Sequence, residues 1–301
     1  MESKNYEVII IGGSFAGLSA ALALGRAKRN ILVIDNNNSC NKQAPKAHNF
    51  LTWDNSQPHE VLSEGKKDVM NYPTVEFKNG TASDAKKNSG GFEVILETGE
   101  RFNTKKLLFA TGVSDLMPEI KGLQSCWGIS VLHCPYCHGY EVKEKKTAVF
   151  ADGINALDIC MVLKQWTNEI VLLTNGKSIL KKRHEERLRS HDIEIIEKEI
   201  SGLEQKEGNI TKVFFKDNSQ LEIPVMYAKL EFKQHCDIPE KLGCKMTKHG
   251  FIKIDESKKT TVHGIYAAGD NTSKGRTISL AVAAGTVAGM MINGELSSES
   301  F

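Results

Sequence analysis

Apolar residues in this chain fall in short unbroken runs rather than in strict alternation. Tyr6-Glu-Val-Ile-Ile-Ile11 leads straight into glycines. Ala and Leu then recur at helical spacing from Leu18 to Arg29, and Ile31-Leu-Val-Ile34 closes on Asp35. Unbroken apolar runs are what parallel strands covered on both faces require, so the pattern predicts strand, tight turn, helix, strand. Two later runs end in the same way. Lys106-Leu-Leu-Phe109 passes into Ala110-Thr111-Gly112, and Val262 to Ala268 passes into Gly269-Asp270, followed by a small-residue segment from Arg276 to Gly285.

The pattern restarts at Lys146-Thr-Ala-Val-Phe150, with a turn at Ala151-Asp152-Gly153, a helix to about Trp166 and a strand from Glu169 to Leu173. Such a repeat predicts a duplicated nucleotide fold. The fold class is therefore α/β, with two Rossmann-like three-layer domains, the second inserted into the first. Leu116–Gly122 and Lys229–Gly243 each carry a proline and mixed polarity after an apolar strand, which marks them as crossings. The expected domains are 1–115, 116–243 and a return to the first at 244–301. The Ser/Glu-rich end, Gly294 to Phe301, is expected to fray.

Each turn carries a chemical expectation. In Gly12-Gly13-Ser14-Phe15-Ala16-Gly17 the small residues let the backbone approach a pyrophosphate, the helix start supplies N–H donors, and Asp35 lies at the distance suited to ribose hydroxyls. Ser14 stands where that pattern has its second glycine. An ordinary strand–helix turn also uses glycine; the further strand ends at Gly112 and Asp270 favour the nucleotide reading. In the second unit Ala151 replaces the first glycine, and Asp152 brings negative charge to the place a pyrophosphate would take. No arginine pair follows the next strand to meet an NADPH 2′-phosphate. Lys177, Lys181, Lys182 and Arg183 lie close by, or form a solvated face of a helix Lys181–Arg189 interleaved with Glu185 and Glu186.

Composition narrows the classes. With 301 residues, 40% hydrophobic and 25% charged, the chain is long enough for two ordinary cores. The balance of 39 Lys+Arg against 37 Asp+Glu implies neither nucleic acid nor a membrane as partner, and no run of 18 uncharged apolar residues predicts a transmembrane helix. Seven cysteines, an odd number, argue for a reducing, cytoplasmic compartment. Cys40, Cys126, Cys160, Cys236 and Cys244 are scattered singly; only Cys134 and Cys137 form a motif.

That motif, His133-Cys-Pro-Tyr-Cys-His-Gly-Tyr-Glu141, admits three readings. Haem attachment demands export and a haem-sized helical fold. Zinc needs a second ligand pair, for which the sequence offers only Cys236 and Cys244, so no metal site is assigned. A redox dithiol needs only two sulfurs two residues apart at a helix start, where the dipole favours one thiolate. His138 is a candidate acid/base beside the thiol and His133 a structural histidine.

Taken together, Gly12–Gly17, Ala110-Thr111-Gly112, Cys134–Cys137 and Gly269-Asp270 resemble the low-molecular-weight thioredoxin reductases over essentially the whole chain. Gly-Gly-Ser-Phe-Ala-Gly-Leu at 12–18, His48-Asn-Phe-Leu51 and Cys-Pro-Tyr-Cys-His-Gly-Tyr-Glu at 134–141 are most similar to the branch with FAD-dependent dithiol oxidases of the gliotoxin and holomycin type. In the reductases the residue after the second cysteine is usually an aspartate proton donor; here it is His138. The resemblance implies that Cys137 exchanges electrons with the flavin and that Cys134 forms the mixed disulfide with substrate. It implies FAD held by Gly12, Ser14, Ala16 and Gly17 at the pyrophosphate and Asp35 at the ribose. Thr111 and Gly112 would lie on the flavin side, Asp270 at the ribityl chain, and Thr277 and Ile278 at the pyrimidine end. It also implies a homodimer. The expected function is FAD-dependent dithiol/disulfide oxidoreduction with oxygen or another non-NADPH partner, on a small dithiol/disulfide or a thioredoxin-like protein. The alternatives are an NADPH-dependent disulfide reductase and a catalytically idle flavin-bound sensor.

Overall fold

The computed structural model describes residues 4–301. The chain forms two compact units. Residues through Lys42, 49–114 and 233–301 make the first, and 43–48 with 115–232 make the second.

In chain order the first unit opens with β1 (Lys4–Ile11), α1 (Phe15–Arg26), β2 (Ile31–Asp35), α2 (Pro58–Met70), β3 (Val75–Asn79), β4 (Ala82–Asn88), β5 (Gly91–Leu96), β6 (Arg101–Phe109) and β7 (Val113–Asp115). The second carries α3 (Leu123–Cys126), β8 (Val131–Leu132), α4 (Pro135–His138), β9 (Thr147–Phe150), α5 (Gly153–Leu163), β10 (Ile170–Leu173) and α6 (Lys182–Arg189). It continues through β11 (Glu194–Ile196), β12 (Ile200–Lys206), β13 (Asn209–Phe215), β14 (Gln220–Glu222) and β15 (Val225–Ala228), and β16 (Phe232–Gln234) returns the chain to the first unit. The chain ends in the first unit with α7 (Ile238–Lys241), β17 (Ile265–Ala267) and α8 (Ile278–Ser300).

The first unit is built on a seven-stranded sheet of order β3-β2-β1-β6-β5-β4, with β17 also pairing β6. β1, β2, β3, β6 and β17 run parallel, while β4 and β5 join antiparallel. Successive residues of β1 serve opposite cores. Ile9 and Ile11 pack with Leu32, Leu107 and Phe109, whereas Val8 and Ile10 pack with Leu24, Leu108 and Ala288. That division is why the strand reads as an unbroken apolar run. Each fully buried leucine or isoleucine there contributes about 1.5–3 kcal/mol relative to exposure.

Local chemistry shifts several boundaries. α1 begins earlier than the spacing suggested because Ser14 is extended and acts as its N-cap, and it ends by Arg26 because Lys28 adopts a left-handed φ of 60°. The C-terminal tail does not fray: α8 is helical through Ser300, with Leu296 buried and Glu299 paired to Lys106. Among the described residues α8 is also the one helix long and apolar enough to cross a membrane. It packs against α1, where Cβ atoms on Gly285 or Gly289 would run into the backbone of Ala16 and Ala20. Ser19 Oγ donates across this contact to the Val282 carbonyl at 2.8 Å. Ile238, in α7, is 1% exposed and belongs to the first unit's core with Leu242 and Cys244, so residues 233–243 go with that unit.

The second unit has a parallel sheet of order β11-β10-β9-β15-β8 and a separate antiparallel sheet β12-β13-β14. β9, its turn and α5 reproduce the strand–turn–helix of β1 and α1. The short segment 43–48 also belongs here, with Gln43 and Ala44 against Gly128.

Candidate functional site

In the first unit the parallel strands deliver the expected residues to one end of the sheet. Gly12 follows β1, Asp35 ends β2, Thr111 and Gly112 follow β6, and Gly269 and Asp270 follow β17. Carboxyl ends of strands at such an edge are where α/β sheets bind ligands. Gly12 has φ of 105°, and a Cβ there would overlap the Ala110 carbonyl. A Cβ on Gly17 would overlap the carbonyl of Gly12, and one on Gly13 would come within 2.8 Å of Asp35 Cβ. These glycines thus let β1, β6 and α1 meet at backbone distance. Ser14, the N-cap of α1, makes no side-chain capping bond, so the first-turn N–H groups have no cap from it. A twelve-residue helix with that start suits a pyrophosphate.

Gly269, at φ of 94°, brings β17 against Ala16. Asp270 pairs with Arg276 at 3.5 Å, both side chains being largely buried, and this ties the end of β17 to the start of α8. Thr277 is the N-cap of α8; its hydroxyl accepts the Leu280 N–H, and Ile278 begins the helix. Asn271 went unnoticed in the sequence although it follows Gly-Asp directly. It is fully buried and donates to the Phe109 carbonyl at 2.8 Å and to Thr111 Oγ1 at 3.3 Å, while its Oδ1 has no hydrogen-bond donor. A glycine cradle, an uncapped helix start and a buried acceptor awaiting a donor fit FAD.

In the second unit Cys134 and Cys137 form a disulfide with Cα atoms 5.3 Å apart. Cys134 is the N-cap of α4 and Pro135 its first residue, which needs no N–H donor there. α4 is a single turn, so its dipole offers the thiols less than a full helix would. Gly139 is required: a Cβ would lie 2.5 Å from the Pro135 carbonyl oxygen and 2.7 Å from the Trp166 indole. Tyr136 meets Trp166 edge-on with centroids 5.7 Å apart, and His133 stacks on Trp127. Tyr136 and Tyr140 are both exposed beside the pair.

His138 has company that sequence spacing did not reveal. His48, from the 43–48 segment, meets it edge to face at 6.2 Å, and His48 Nδ1 lies 3.6 Å from Glu141 Oε1. Burial lowers the pKa of His138, the charge of His48 lowers it further, and Glu141 opposes both.

The repeated turn is filled by the chain itself. Asp152 caps α5, its Oδ1 accepting from Gly153 N at 2.6 Å and from Ser178 Oγ at 2.8 Å, while Oδ2 accepts from Ile179 N at 3.0 Å. Gly153 has φ of 60°, with the Ile179 side chain over it. Of the basic residues nearby, Lys182 pairs with Glu186 and Arg183 donates to His184 on exposed α6.

A glycine cradle at the end of one parallel sheet, a dithiol pair beside a second nucleotide-type sheet, and a duplicated strand–turn–helix define a disulfide oxidoreductase of the two-nucleotide-domain kind. The chain belongs to the pyridine nucleotide-disulphide oxidoreductase family, whose pattern it matches over residues 6–286. It is 29% identical to the thioredoxin reductase tcpT of Claviceps purpurea, over 98% of this chain and 95% of that one. The solved structure of an oxidoreductase from Agrobacterium tumefaciens is 34% identical, with a TM-score of 0.91, covering 98% of this chain and 99% of that chain. The crystal structure of HlmI gives 27% identity and a TM-score of 0.93 over 98% and 94%. The chain is thus a thioredoxin reductase-like FAD flavoprotein that acts on disulfides through a Cys134/Cys137 redox pair.

Proposed function

We infer that the protein oxidises a small dithiol rather than reducing thioredoxin with NADPH. The observation that carries this reading is Asp152: its carboxylate occupies the donors that a second nucleotide's pyrophosphate would need, and Ile179 covers Gly153. A phosphate brought there would meet a fixed negative charge. The exposed rings of Tyr136 and Tyr140 on either side of Cys137 offer apolar surface for a small organic dithiol.

In the reaction a substrate thiolate attacks Cys134 Sγ. The Cys134–Cys137 bond breaks, a substrate–Cys134 disulfide forms, and Cys137 leaves as thiolate. His138 accepts the proton of the second substrate thiol, whose sulfur attacks the first substrate sulfur and releases Cys134. His138 then returns its proton to a cysteine, so one dithiol becomes one disulfide and the enzyme pair holds two electrons and one proton, the proton of the first substrate thiol having gone to solvent when its thiolate formed. FAD, when bound, supplies the two-electron capacity that restores the pair, with dioxygen as final acceptor. Gly12, Ser14, Ala16 and Gly17 would hold its pyrophosphate, Asp35 its ribose, Asp270 its ribityl chain, and Thr111, Gly112, Thr277 and Ile278 its ring.

Holoenzyme mixed anaerobically with NADPH is expected to keep its flavin absorbance, and the same sample is expected to bleach with dithiothreitol. Rapid bleaching by NADPH would establish the second reading, NADPH-dependent reduction of a thioredoxin-like or small disulfide, which the name of the Claviceps relative favours. We further propose that the protein is a cytoplasmic homodimer, checked by fractionation and light scattering.

A further inference from the structure

The established pair and its adjacent histidine leave a second imidazole and a carboxylate unused. His48 comes from a segment remote in sequence from the motif, yet 43–48 folds into the unit that holds the thiols. Its side chain is 11% exposed, with Nδ1 3.6 Å from Glu141 Oε1, and its ring stands at 87° to that of His138. Glu141 is three residues beyond His138 and 40% exposed. Two imidazoles at this distance repel when both are charged. The carboxylate makes its ion-pair contact with His48.

We propose that His48, held by Glu141, is a positioning residue for the thiol chemistry: the two rings share one proton, the carboxylate draws it to His48, and His138 stays an uncharged base beside the cysteines. This rests on the reading of His138 as the acid/base. On its own element are Cys134 and Cys137, and beyond them His133, stacked on Trp127. Lys143 lies over the exposed Tyr140 ring. From β15 comes Tyr227, a fully buried phenol whose hydroxyl has no hydrogen-bond partner; burial and then the charge of Glu141 keep it protonated. The burial of His138 and the charge of His48 both act to keep His138 neutral, and Glu141 alone acts directly in the other sense. Glu141 therefore favours a neutral His138 only through His48.

That sign difference makes the proposal testable. Holoenzyme would be mixed anaerobically with dithiothreitol across a range of pH and flavin bleaching followed by stopped flow. H48N and H48Q are compared with wild type, and E141Q is made both alone and in the H48N background. H138N tests the underlying reading, and bound flavin per chain reports folding. Removing His48 is expected to move the acid limb to higher pH, lowering the rate on that limb roughly two- to five-fold while the plateau changes less. E141Q is expected to move the limb differently in the two backgrounds, since only one contains His48. An acid limb that stays in place or falls in both H48N and H48Q, while H138N abolishes it, would overturn the proposal and keep the reading of His138. Equal effects of E141Q in both backgrounds would also overturn it. A limb unchanged in H138N would overturn the reading of His138 instead.

Discussion

Lys106 offers the sharpest test of how the C-terminal helix is held. Its side chain is 3% exposed, and its ammonium pairs with Glu295 and Glu299 of α8. Glu295 also accepts from Lys259, whose Nζ is 2.6 Å from Oε2, and from the Tyr266 hydroxyl at 2.7 Å. Burial pushes the Glu295 carboxyl up, but hydrogen bonds from Lys106, Lys259 and Tyr266 outweigh it and hold the pKa at about 2. Against an ordinary value of 4.5 that difference corresponds to about 3 kcal/mol, reduced to ~2–3 kcal/mol because the side chain is 11% exposed. A depressed carboxyl stabilises above its unfolded pKa, so this contribution is complete above about pH 5 and is lost as pH falls toward 2. More than half should be gone by about pH 3. E295Q strands the buried Lys106 with only the half-exposed Glu299 and is expected to cost ~2–4 kcal/mol at pH 7. K106M removes the buried charge together with one of three donors, and should cost only ~1–2 kcal/mol. Urea unfolding of the holoenzyme at pH 7 and at pH 3 measures both. Equal costs for the two variants, or an E295Q cost that does not shrink at pH 3, would refute the assignment.

Other substitutions test the cradle, the thiols and the second turn. G17A should fold its sheet but lose bound flavin, read as absorbance per chain, because the added methyl meets the Gly12 carbonyl. Offered a small linear disulfide, C137S should accumulate a Cys134 mixed disulfide visible by intact mass, because the Cys134 thiolate opens the probe's S–S bond and no second cysteine resolves the adduct, whereas C134S should show none. D152A removes the α5 cap along with the acceptor for Ser178 and Ile179, and should lower the urea midpoint by the equivalent of about 1 kcal/mol without changing m.

The same cluster at Lys106 explains why His263, Glu295 and Glu299, which approach one another closely enough to suggest a cation site, have no need of a metal: lysine ammonium groups already meet the charge. It also explains why the polar end of the chain, legible in the sequence only as a Ser/Glu-rich tail, is helical. Glu295 and Glu299 lie one turn apart and reach the same lysine, with Leu296 between them turned into the core.

The sequence by itself determined the repeated strand–turn–helix, the small residues at Gly12 and Gly17, the misplaced charge at Asp152 and the thiol pair. Each is a local signal, carried by adjacent residues whose backbone demands or chemistry admit few alternatives. Only the tertiary structure decided that Asp152 is satisfied by Ser178 and Ile179, that Asn271 leaves a buried acceptor, and that His48 stands beside His138. Those contacts join residues far apart along the chain. Their energies depend on distance and burial, which packing creates and periodicity does not encode.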